Sequence, residues 1–128
     1  MDAIAEYEAG GVHDSAGRAD EAISYYERAL RHGLPPELEP RCRLQLASSL
    51  RKVGRIHDAI AAFDDAIARY PNDAALRLFR AFALADVGRE REALVDVIDL
   101  ARTRIHAPEI SRYGRSLKNY NRDLLQDA

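Results

Sequence analysis

Two His–Asp dipeptides, His13-Asp14 and His57-Asp58, come nearest to a chemical motif in this chain. A metal-dependent phosphohydrolase uses such a pair, because an imidazole nitrogen and a carboxylate oxygen can share one divalent ion. That chemistry also needs further His and Asp ligands converging on the metal. Here the dipeptides fall at equivalent ends of helical pairs, not at a common centre, and only His32 and His106 remain. Helix-surface histidines account for them better, so no metal and no cofactor is expected. Cys42 is the single cysteine and lies on the inner face of a helical pattern, one turn before Leu46. With no histidine nearby in sequence to activate it, it reads as a buried structural thiol, not a nucleophile. A lone cysteine forms no internal disulfide, which fits a reducing cytoplasm. No G-x-G-x-x-G, P-loop, G-x-S-x-G or H-E-x-x-H string occurs, and the sequence predicts a non-enzyme.

Charge narrows the partner class. Residues 1–40 hold 3 Arg against 9 acids, and residues 101–128 hold 6 basic residues against 3 acids, within a net charge of −2. Arginine greatly outnumbers lysine, which raises nucleic-acid binding. The arginines are spread along every helix and balanced by acids, whereas a phosphate-binding surface clusters them, so no nucleic acid is expected. An acidic front and a basic tail could steer a partner or another copy of the chain; ordinary solvated helix faces are the plainer reading. No run of about 18 apolar residues exists, and the acidic opening Met1-Asp2-Ala3-Ile4-Ala5-Glu6 lacks the basic segment and apolar run of a secretion signal. The expectation is a cytoplasmic protein without a membrane partner.

The elements that position these residues are all helical, because the short apolar runs keep a period near 3.6, not 2. The pattern predicts helices over about 3–16, 19–32, 37–53, 56–70, 74–87, 90–104 and 108–125. Gly17, Gly54 and Gly88 stop the first, third and fifth, since glycine reaches the left-handed conformation that closes a helix. Pro40 fits only within a first turn, so the regular part of the third helix can begin near it. The last helix carries Ile110, Tyr113, Leu117, Tyr120 and Leu124, a narrow apolar stripe interrupted by Gly114. It reads as a cap over the third pair in preference to a homodimer seam.

Gly88 follows Gly54 by 34 residues, and Gly54 follows Gly17 by 37. Five residues after each glycine stand Ala22, Ala59 and Ala93; nine after stand Tyr26, Phe63 and Val97; twelve after stand Ala29, Ala66 and Leu100. Seven before stand Gly10, Ala47 and Ala81. Paired helices approach closely only where side chains are small, and bulky neighbours fill the remaining gaps. Each glycine is followed by Arg and then by an acid-Ala pair: Glu21-Ala22, Asp58-Ala59, Glu92-Ala93.

On these residues the chain resembles the tetratricopeptide repeat proteins, with repeats over about 3–36, 37–73 and 74–107 and a capping helix over about 108–125, in one domain spanning 1–128. Through Gly33-Leu34-Pro35-Pro36-Glu37-Leu38 and the repeated Gly-Arg turns it is similar to the small bacterial proteins grouped as tetratrico peptide repeat family 5. It departs from the pattern in lacking the signature Trp, in having Arg80 where an apolar residue is usual, and in having Leu100 for a small one. The resemblance implies an all-α fold, a right-handed superhelical stack of three antiparallel helix pairs plus a C-terminal capping helix. It also implies a non-enzymatic scaffold whose first helices line a concave groove for a peptide or helix.

Carried over by offset from the repeat glycines, the groove residues of the first repeat include Tyr7, Gly11 and Asp14. Those of the second include Arg41, Leu44, Ser48, Arg51 and Lys52. Those of the third include Leu78, Phe82 and Asp86, with Phe79 beside them. A basic middle flanked by apolar surface suits a segment with one or two carboxylates and an apolar anchor. The resemblance argues against a chaperone-tail receptor, because Tyr7, Gly11, Gln45, Ala75 and Phe79 stand where that clamp needs Lys, Asn and Arg. The rival reading is a self-assembly module, a homodimer formed through the last helix or the charged ends.

Overall fold

A computed structural model describes residues 1–126. Among the described residues there is no strand. The helices are α1 (Ala3–Ser15), α2 (Ala19–His32), α3 (Glu39–Lys52), α4 (Ile56–Arg69), α5 (Ala74–Asp86), α6 (Glu90–Arg104), α7 (Pro108–Ser111) and α8 (Gly114–Gln126). The chain divides into two compact units, Met1–Leu76 and Arg77–Ala128. No helix among the described residues is long and apolar enough to cross a membrane.

In the Met1–Leu76 unit, α1 packs on α2, α2 on α3 and α3 on α4. The turns that fold each pair are built alike. Gly17 and Gly54 have φ of 78° and 86°. Arg18 N–H reaches back to His13 O at 2.8 Å and Arg55 N–H to Leu50 O at 2.9 Å, while the glycine N–H groups bond Asp14 O and Arg51 O at 3.0 Å. These bonds satisfy the last carbonyls of α1 and α3, and only a residue that tolerates positive φ closes them without strain. The arginine after each glycine then reaches an acid three residues on: Arg18–Glu21 at 3.2 Å and Arg55–Asp58 at 2.9 Å. Exposed pairs of this kind contribute only a few tenths of a kcal/mol, so they fix the turn's direction more than its stability.

The core of this unit follows the repeated small residues. Ala22, Ala29, Ala47, Ala59 and Ala66 are fully buried, and Tyr26 and Phe63 are each 1% exposed. The ring of Tyr26 lies on Gly10, where an added Cβ would stand 2.5 Å from Tyr26 Cε1. The three extra residues of the first linker form a turn in which Pro35 O accepts from Leu38 and Glu39 N–H, and Leu34 is buried with Tyr26, Ala29 and Cys42. Pro40 falls in the first turn of α3, where its missing N–H costs nothing. Asp73 starts α5 by accepting Leu76 N–H at 3.2 Å.

The Arg77–Ala128 unit repeats the turn at Gly88, with φ of 78°, Arg89 N–H to Leu84 O at 2.9 Å, and Arg89 Nη2 to Glu92 at 2.7 Å. Arg80, on the apolar side of α5, is met by Asp96 of α6 at 2.9 Å, which reconciles a charge with a helix pair. Burial raises the Asp96 pKa and outweighs the downward pull of Arg80. The expected large packing residue of α6, Val97, is instead 40% exposed.

The single helix expected over 108–125 is two, α7 and α8, separated at Arg112-Tyr113, with Gly114 as the first residue of α8. Breaking there keeps the glycine out of a helix interior, where it costs roughly 1 kcal/mol against Ala. The break also changes the docked face. Tyr113 and Tyr120 are 55% and 65% exposed, and α8 packs on α6 with Asn121 buried between the half-buried Leu117 and Leu124. Asn121 Nδ2 donates to Asp99 Oδ1 at 2.8 Å and to Val95 O at 3.4 Å.

Candidate functional site

The groove candidates of the first unit sit on α1 and α3. Asp14 is the residue that joins them. Its side chain is 9% exposed and accepts from Lys52 Nζ at 2.8 Å, Tyr26 O–H at 3.2 Å and Ser49 Oγ at 3.4 Å. The charge of Lys52 is therefore met inside the unit; of the other basic candidates, Arg41 is exposed and Arg51 half-buried. Tyr7 is half-buried, with its ring 6.1 Å from that of Tyr26 and its hydroxyl pKa raised by burial. Gly11 has nothing within 4 Å of where a Cβ would stand, so α1 is open there. Leu44 and Ser48 are half-buried.

In the second unit, the candidates are a face of α5. Leu78, Phe79 and Phe82 are 41%, 39% and 48% exposed, with the two phenyl rings edge to face at 5.7 Å. Asp86 is exposed at the end of the same helix. The opposite side of α5 is also apolar, with Leu76, Ala83 and Leu84 fully buried. A helix that is apolar on both sides has a surface to cover.

The two His–Asp dipeptides use their acids differently. Asp14 turns inward, whereas Asp58 bonds Arg55 at the turn. His13 stacks on Tyr25 at 5.0 Å and its Nδ1 stands 2.8 Å from Glu21. Among the described residues no group of three His, Cys, Asp or Glu gathers where an ion could sit. A cleft of about 590 Å³ lies beside the Gly17 turn, between Arg18, Asp20, Glu21, Lys52 and Val53. Its charges are mixed in sign, which suits a polar rim better than a reaction centre.

Three residues with structural roles were not evident from periodicity. Glu6 is buried on the inner stripe Ala3-Glu6-Gly10, paired with Arg28 at 3.3 Å and His32 at 2.7 Å. Its 3-4 spacing with those small residues is the signal that marks it. Ser49 and Asn121 are the others; both are buried and hydrogen-bonded across helices.

The family model described as Tetratrico peptide repeat matches residues 3–124. The chain belongs to the Tetratrico peptide repeat family. No curated protein and no solved structure matches it. Members of this repeat family are protein–protein interaction scaffolds, typically without enzymatic activity. Cys42 agrees with a structural role: it is fully buried, its thiol donates to Tyr26 O at 3.6 Å, and burial pushes its pKa up to about 12. A thiol reagent at neutral pH is expected to modify Cys42 only as fast as the Met1–Leu76 unit opens, with the rate rising across the unfolding transition in urea. Immediate labelling of the folded protein would contradict that burial.

Proposed function

We propose that this tetratricopeptide repeat chain binds protein segments through the exposed faces of its first helices, with an apolar anchoring surface on α5 and, as a surface of its own, Arg41 of α3 for acidic groups. The observation that carries the reading is the solvent-facing apolar side of α5: Leu78, Phe79 and Phe82 are each about two-fifths or more exposed on a helix whose other side is core. Large exposed aromatics on a rigid helix supply contact area at little entropic cost, and such residues dominate binding energy. Arg41, exposed on α3, offers bidentate donors to a carboxylate, in keeping with a scaffold function and an acidic residue in the ligand.

Selection from a random peptide library tests this directly. Peptides enriched on α5 are expected to carry a bulky apolar residue, and those enriched on α3 an Asp or Glu. Phe82→Ala is expected to weaken the best binder about tenfold or more, the usual loss when a central aromatic is truncated, and Arg41→Glu to weaken acidic binders selectively. A library that yields no enriched sequence, or binders indifferent to both substitutions, overturns the reading.

A further inference from the structure

The third helix pair leaves open a face that the other pairs cover. Six and nine residues after Gly17 stand Ile23 and Tyr26, 5% and 1% exposed. α3 covers Ile23, against which Leu50 packs; Tyr26 lies between α1, where its ring rests on Gly10, and α3, whose Cys42 Sγ donates to Tyr26 O. The matching residues after Gly54, Ile60 and Phe63, are again 5% and 1% exposed. After Gly88 they are Leu94 and Val97, and these are 47% and 40% exposed. Ile105, 47% exposed, is the extended residue that ends α6.

α8 does not take the covering role. Asn121 reaches α6 at Val95 and Asp99, seven and eleven residues after Gly88. The corresponding residues of α4, Ala61 and Asp65, are exposed. So α8 lies on a side of α6 that the second pair leaves exposed, and among the described residues Leu94 and Val97 stay open on the side where a following first helix belongs.

The first pair also shows what fits such a face. The covering helix α3 presents Cys42 and Leu46, twelve and eight residues before Gly54, toward α2. At the same offsets before Gly17, α1 carries Ala5 and Ala9, and Val12, 64% exposed, continues that stripe. Small residues on α1 would admit the ridge of Leu94 and Val97. The charges match in sign. Exposed Glu8 borders the α1 stripe in a segment where residues 1–40 hold 3 Arg against 9 acids. Exposed Arg91 and Arg104 border the α6 face, ahead of a segment with 6 basic residues against 3 acids.

We infer that the occupant is a second copy of this chain: α1 of one molecule docks on the Leu94–Val97 face of another, head to tail. Such a heterologous contact leaves one face of each kind free, so copies keep adding until a ring closes. The contact reuses the joint between α2 and α3, with an electrostatic part that salt weakens.

The test is the mass in solution of the full chain and two variants, measured by light scattering over a concentration series at low salt. The wild type is expected to at least double in average mass as concentration rises, and to fall back in high salt. Val12→Glu and the pair Leu94→Glu/Val97→Glu each spoil one face at exposed positions, so both are expected to stay folded by circular dichroism and monomeric. Mixed one to one, they retain one good face each and are expected to reach the mass of a dimer and go no higher. A wild type that is monomeric at every concentration overturns the inference, as does a mixture that stays monomeric. Loss of assembly on Tyr120→Glu, with both face variants still assembling, would assign the contact to α8 and overturn it equally.

Discussion

Gly10→Ala is expected to destabilise the Met1–Leu76 unit by about 3 kcal/mol, at the upper end of the cost of overpacking a core. A Cβ at Gly10 would lie 2.5 and 2.6 Å from Cε1 and Cδ1 of Tyr26 and 3.1 Å from Cζ. Contacts that short require one partner to move. Tyr26 has little room to do so: it is 1% exposed, its ring packs against Tyr7, and its hydroxyl is held by Asp14 at 3.2 Å. The helices must part instead, loosening the contacts of Ala3, Ala22 and Ala29 in the same cluster. The neighbouring glycine supplies the control. Gly11 has open space at its Cβ position, so Gly11→Ala removes only helix-interior flexibility and is expected to stabilise by about 0.5–1 kcal/mol. Urea midpoints of the two variants should therefore move in opposite directions. Equal midpoints for Gly10→Ala and wild type would show that the ring does not rest on that backbone.

Gly10 also shows what could be read from sequence. Small residues at matched offsets from Gly17, Gly54 and Gly88 place helix pairs, and Gly10, Ala47 and Ala81 are buried as that rule requires. The same rule works because steric fit depends on size and spacing, both of which a sequence displays. It loses force where burial is decided by a polar partner far along the chain. Asp14 reads as a groove residue of the first repeat, yet Tyr26, Ser49 and Lys52, which come 12, 35 and 38 residues later, turn its carboxylate inward. Asn121 is hidden in the same way, because the eye follows Leu117, Tyr120 and Leu124 while the break at Gly114 rotates the tyrosine outward. Val97 fails for a different reason. Its offset is correct, but of the two helices that enclose its counterpart Tyr26, α1 and α3, the described residues supply no equivalent of α3 on that side of α6. For the candidate binding surface, sequence alone placed Phe79 and Phe82 on a first helix, and exposure was a property only coordinates supply.

Asp14→Ala is expected to cost the same unit about 2–3 kcal/mol, although it removes no apolar packing, because it strands buried donors. Lys52 is 55% exposed at its side chain and can turn to water, so its loss of a partner contributes little. Tyr26 O–H and Ser49 Oγ cannot turn out in that way, since Tyr26 is 1% exposed and Ser49 fully buried. Lys52→Ala is accordingly expected to cost under about 1 kcal/mol, and Tyr26→Phe about 1 kcal/mol, so the carboxylate should outweigh either partner taken singly. Alkaline titration separates this account from simple loss of helix. Burial first, and then the Asp14 carboxylate, raise the Tyr26 pKa well above the ordinary 10.0. A folded-state pKa that is raised means stability is fully present below the unfolded value and is lost as pH climbs from about 10 toward the folded value, because the unfolded chain ionises first. Asp14→Ala removes the carboxylate's share of that rise and should reduce the steepness of the loss, whereas Lys52→Ala leaves burial and the carboxylate in place and should not. Parallel alkaline stability curves for wild type and Asp14→Ala would show that the carboxylate and the hydroxyl are not coupled.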